Sequence, residues 1–208
     1  DDSAVTALQS LAAGSDAPAL FLLVHPGETP LDRTRWETTD RARAWRNPAL
    51  LPLGVYAGDD LFTVLPDDPH RFSEPPTAAF GPAQNIKLLE ARLHTIQQDD
   101  TPVRALLLTW QTDAPLTTDF TVFVHLRAAD GFVRSQADGP PAGGAYPTSA
   151  WQPGQVVQDI HLLPPGEDLS QVASIALGLY NPATGERLPA FGPDGARLPD
   201  DAWLMPLK

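Results

Sequence analysis

The chain has 208 residues, 42% of them apolar and 19% charged, which suits a globular fold with a real core rather than a disordered segment. A formal net charge of −12 repels phosphate backbones and anionic headgroups, so nucleic-acid binding is not expected. The absence of cysteine excludes disulfides, thiolate nucleophiles and cysteine-ligated zinc, and 23 prolines disfavour long helices.

In chain order, Ser3 caps an expected helix over residues 3–13, with Val5, Leu8 and Leu11 at helical spacing and Gly14 as its stop. Residues 19–25 are a continuous apolar run that reads as a strand buried on both faces and ended by Pro26-Gly27. A second helix is expected over 38–45, broken before Pro48. Strands at 53–56 and 61–65 flank Ala57-Gly58-Asp59-Asp60, a hairpin signal. Residues 1–65 therefore read as a small α/β segment, too small to be comfortable alone and expected to pack on something else. Residues 66–85 read as an extended linker rich in proline (Pro66, Pro69, Pro75, Pro76, Pro82).

From 86 to 208 the pattern changes to alternation. Strands are expected at 87–95, 103–111, 120–127, 132–136, 155–162, 173–180, 187–191 and 203–207, with Asp130-Gly131 as a tight turn. About eight strands separated by turn signals predict a mainly β fold, an antiparallel β-sandwich of jelly-roll or immunoglobulin-like type. The expected core is Leu89, Leu93, Leu106, Leu108, Trp110, Val122, Val124, Leu126, Leu177 and Leu179, on the apolar phase of each strand. The sequence opens on Asp1-Asp2-Ser3, without a signal peptide or an apolar run long enough to span a bilayer. It reads as a fragment whose membrane segments would lie elsewhere.

One stretch is more specific. Phe123-Val124-His125-Leu126, Asp130-Gly131, Gln136, Asp138-Gly139-Pro140-Pro141, Gly143-Gly144, Tyr146-Pro147-Thr148-Ser149, Trp151, Pro153-Gly154 and Asp159 are followed by Gly178-Leu179-Tyr180-Asn181-Pro182 and Thr184-Gly185-Glu186-Arg187-Leu188. This resembles a β-sandwich module at the C-terminal end of polytopic bacterial membrane proteins similar to glycosyltransferases of family 39, the protein mannosyltransferase-like group. The resemblance covers residues 86–188. It implies a parent chain with many membrane helices, a lipid-linked sugar donor and a catalytic acidic residue in an early extracytoplasmic loop. No catalytic residue carries over to any position here. The implied location is the extracytoplasmic face of a bacterial membrane, held there by segments absent from this chain.

Several constellations invite chemistry. Asp159 and His161 share one face of a strand, and His125 on another strand is in a position to join them as zinc-type ligands. A hydrogen-bonded polar cluster explains the same residues, with Gln136 and Asp138 beside them, and is the favoured reading; no metal and no cofactor are expected. The stretch 136–141 is a calcium candidate through Asp138, but lacks a dense acidic loop. A turn is favoured, with Asp138 accepting backbone N–H groups and Gly139 at positive φ. The loop 140–151 is the best ligand candidate. Tyr146 and Trp151 with Thr148 and Ser149 suit stacking on a sugar ring, or equally a plug closing the sandwich, the latter favoured. Arg33, Arg35, Arg41, Arg43 and Arg46, interleaved with Asp32, Glu37 and Asp40, would contact lipid phosphate or simply form a solvated mixed-charge helix, again the favoured reading. No nucleophile elbow, phosphate loop or dinucleotide glycine pattern is present.

Two functions follow. The first is a non-catalytic soluble domain of a membrane glycosyltransferase-like protein that supports it or positions an acceptor or partner. The second is a free-standing carbohydrate-binding or protein-interaction module. The expected partners are a carbohydrate or the remainder of a membrane-embedded chain.

Overall fold

A computed structural model describes residues 21–24, 44–47, 50–56, 59–64, 75–98 and 101–207. The expected helix over 3–13 lies outside these, and that over 38–45 is described only at Ala44 and Trp45. β1 (Phe21–Val24), β2 (Leu50–Tyr56) and β3 (Asp59–Val64) form an antiparallel sheet in the order β1-β3-β2. The β2–β3 hairpin matches the turn signal, with Tyr56 opposite Asp59.

The remainder is mainly β: two antiparallel sheets packed together. β4 (Ala78–Phe80), β5 (Ile86–Gln98), β6 (Thr101–Thr112), β9 (Val156–Leu162) and β11 (Ala190–Phe191) make a five-stranded sheet ordered β11-β4-β5-β6-β9. β7 (Thr121–Arg127), β8 (Val133–Gln136), β10 (Ser174–Tyr180) and β12 (Trp203–Pro206) make a four-stranded sheet ordered β12-β10-β7-β8. After β6 the chain makes the β7–β8 hairpin, then alternates between the sheets. β8 and β9 end as edge strands, and the segment between them has to cross from one sheet to the other.

All eight expected strands are present. A ninth, β4, falls inside the proline-rich stretch. Ala78, Ala79 and Phe80 are buried between β5 and β11, so the second half of that stretch is part of the sheet. Leu106, Leu108, Trp110, Val122, Val124, Leu126, Leu177 and Leu179 are buried in one core, as expected, and Phe80 meets Trp110 edge-on with ring centroids 5.7 Å apart. Leu89 is not in it. The β5–β6 register slips between Leu88 and Glu90, so Leu89 is the extra residue of a β-bulge. The bulge puts Ile86 and Leu88 in the core before it, and Ala91 and Leu93 against the core after it. Leu88→Ala should therefore cost about 2–5 kcal/mol in urea unfolding, and Leu89→Ala less than half as much. Equal costs would contradict the bulge.

Ala105, Leu107 and Thr109, on the opposite face of β6, are buried too. β2 lies against β5 and β9 there, and Ala44, Trp45, Leu50 and Phe62 join the contiguous core. The described part of the N-terminal segment thus packs on the sandwich itself, which gives it the support its size requires.

Candidate functional site

Asp159 and His161 of β9 meet the segment that leaves β8, at the edge of the two sheets. The segment 137–155 crosses it as a strap. Its turns use left-handed backbone at Ala142 (φ 54°), Gly143 (φ 58°) and Gly144 (φ 83°). Gly139, expected at positive φ, is instead extended and bridged to Val122. The left-handed conformation costs a non-glycine residue roughly 1–2 kcal/mol, so Ala142 needs something to hold it.

Asp159 does so. Its side chain is fully buried on the inner face of β9, where Oδ1 accepts the Ala142 N–H at 2.9 Å. Oδ2 accepts the Trp110 indole N–H at 3.0 Å and meets His161 Nε2 at 3.0 Å. Trp110 is opposite Val157, which puts it on the diagonal to Asp159 across the β6–β9 pair. His161, 5% exposed, donates from Nδ1 to the Ala137 carbonyl at 2.9 Å. Burial opposes a charge on this ring. The charge and hydrogen bond of Asp159, the Ala137 carbonyl and the charge of Asp138 outweigh that, and the ring pKa is raised.

His125 does not join this pair. It sits on β7, on the outer face of the four-stranded sheet, while Asp159 and His161 face inward from the other sheet, so the three-ligand metal arrangement is not assembled. Among the described residues no group of three His, Cys, Asp or Glu side chains is gathered for an ion. His125 Nε2 lies 3.5 Å from Asp138 Oδ1, which also accepts the Val124 N–H at 2.9 Å, the backbone role expected of it. Burial lowers the His125 pKa and Arg187 and Arg127 add to this, while Asp138 opposes them. Gln136 is opposite His125 on exposed β8. Nearby, Phe123 lies over Gly178, where a Cβ would come 2.7 Å from the ring, and the Arg187 guanidinium covers it at 4.1 Å.

The loop residues are inside the molecule. Tyr146 is 0% and Trp151 1% exposed. Trp151 Nε1 donates to the Tyr146 carbonyl at 3.0 Å, and the Tyr146 hydroxyl bonds the Ala150 carbonyl at 2.8 Å and Gln155 Oε1 at 3.0 Å. Arg46 lies over the Tyr146 ring, 5.9 Å from its centroid. The hydroxyl of buried Thr148 donates to the Thr118 carbonyl at 2.7 Å and accepts the Phe120 N–H at 2.8 Å; the Ser149 N–H donates to Asp119. In this arrangement neither aromatic ring has a face free for a sugar. Tyr146, Thr148 and Trp151 are enclosed with their polar tips bonded to protein, the arrangement a plug requires, while the half-buried Ser149 is bonded through its backbone N–H. Of the arginine cluster, only Arg46 lies among the described residues.

Sequence reasoning placed Trp110 in the core and missed its polar role. The available signal was a buried indole N–H that needs an acceptor beside a strand carrying Asp159. No family model, curated protein or solved structure matches the chain.

Proposed function

We propose that the chain is a non-catalytic support module, the extracytoplasmic domain of a membrane glycosyltransferase-like protein. The observation that carries the non-catalytic part is the use made of its polar groups. Asp159, His161, Asp138, Thr148 and the hydroxyl of Tyr146 each hold backbone or one another in place, which is a structural occupation. The link to a family 39-like parent rests on the motif resemblance over residues 86–188. No helix among the described residues is long and apolar enough to cross a membrane, so in this reading anchoring comes from other parts of the parent. A protein-interaction module is the second reading. It has one observation in its favour: Phe132 (76% exposed) and Val133 (41% exposed) stand out together at the β7–β8 hairpin.

The test has two parts. The complete reading frame should encode a series of membrane helices before this domain; a signal peptide alone would favour the free-standing reading. The purified chain should neither transfer sugar from a polyprenyl-phosphate donor nor hydrolyse glycosides. Turnover by the pure chain would refute the proposal.

A further inference from the structure

We infer that Asp159 and His161 form a pH-sensitive latch that holds the strap 137–155 across the open edge of the sandwich, closed when the pair carries its proton and loosened when that proton leaves. The geometry requires two protons on the ring side of the contact. Nδ1 faces a backbone carbonyl, which only accepts, so Nδ1 must carry hydrogen. Nε2 faces Oδ2, which also accepts from Trp110, so a second proton must lie between Nε2 and Oδ2. Removing either leaves two acceptors facing each other with no water to separate them, since His161 and Asp159 are both buried.

What the latch holds is the strap. Ala137 is at its start, joined to His161. Ala142 is at its left-handed turn, joined to Asp159. Between them Gly139 passes the imidazole, its Cβ position 3.8 Å from Nδ1 and Cε1. The charged or titratable groups acting on the ring are Asp159 on its own strand and Asp138 on the strap, both favouring the proton. His125 on β7 faces Asp138, not the His161 ring. β6 contributes the neutral indole of Trp110.

The direction follows from linkage. In the closed strap both ring nitrogens face acceptors, so closure holds a second proton. In the open strap Nδ1 meets water and a neutral ring bonded to Asp159 through Nε2–H is satisfied, so opening releases that proton as pH rises. The stabilisation is full while the ring is charged in both states and is lost as pH rises through its closed-strap pKa, which lies above the ordinary 6.5. One proton limits the slope to about tenfold in the opening constant per pH unit.

The test uses the 208-residue chain and nuclear magnetic resonance. Ring nitrogen shifts, assigned by the signals missing from His161→Gln, should show both His161 nitrogens protonated at pH 6.5 and a titration above it. Amide exchange of Ala142, Ala145 and Trp151, corrected for the intrinsic pH dependence, should report strap opening that rises with pH by up to about tenfold per unit across that window. The Gly192 amide, in a hairpin remote from His161 in sequence and bonded to Ala196, should stay flat. In His161→Gln the strap amides should lose their pH dependence. A ring that titrates below 6.5, or strap opening that is flat with pH in the wild type, would overturn the latch. Strap amides that open no more often than those of β6 would also overturn it, because the pair would then be part of the global core.

Discussion

Asp159→Ala is expected to lower the free energy of unfolding by about 3–5 kcal/mol. The substitution removes one small side chain, so lost apolar packing is not the cause. It strips the acceptor from three buried donors at once: the Trp110 indole, the Ala142 amide and the His161 ring. Each orphaned group costs about 1–3 kcal/mol, and a ring left charged without its partner costs more. A loss of this size is a large fraction of the roughly 5–15 kcal/mol that a domain usually has. Urea unfolding followed by tryptophan fluorescence measures it, as a fall in midpoint at unchanged slope. Asp159→Asn offers no escape, because whichever way the amide is turned its nitrogen faces a donor, the Trp110 indole or the Ala142 N–H. In a double-mutant cycle with His161→Ala the two losses should fall short of additive, since either change breaks the same contact. A change within about 0.5 kcal/mol for Asp159→Ala, the range of an ordinary surface substitution, would show that the buried network is not formed.

Trp151→Ala should cost a similar amount, about 3–5 kcal/mol, for a different reason. The indole is 1% exposed and its N–H donates to the Tyr146 carbonyl, so truncation leaves a cavity and removes a buried hydrogen bond. The cost separates the two uses a loop tryptophan can have. A stacking platform faces water in the absence of sugar, and its loss would change stability by less than about 0.5 kcal/mol. A plug carries its energy in the unliganded chain. Titrating simple sugars while following amide shifts supplies the complementary measurement: with Tyr146 and Trp151 enclosed, shifts confined to 140–151 are not expected. Their appearance, with a Trp151→Ala variant of wild-type stability, would restore the platform.

The sandwich was legible because its signals are local. Alternation with period two in β6, β7 and β10 depends only on neighbouring residues, and Asp130-Gly131 marks a turn whatever surrounds it. The shared face of Asp159 and His161 follows from the same periodicity. What depends on pairing was not legible. β4 is three residues among prolines; β5, which follows it directly, pairs with one side, and β11, far along the chain, supplies the partner that encloses it. Leu89 belongs to an apolar phase by its own sequence, and only the count of residues on β6 makes it the extra one. His125 resembled a third ligand because a sequence does not say which sheet a strand joins. With β7 in one sheet and β9 in the other, its ring and the Asp159 carboxylate point to different faces. The partners that Asp159 has, Trp110 and the amide of Ala142, lie 49 and 17 residues away and are brought together by the β6–β9 pairing and the path of the strap. Tyr146 and Trp151 have the same local sequence whether they stack on a ligand or fill an edge. Burial decides between these, and burial is a property of the packed sheets, not of the loop.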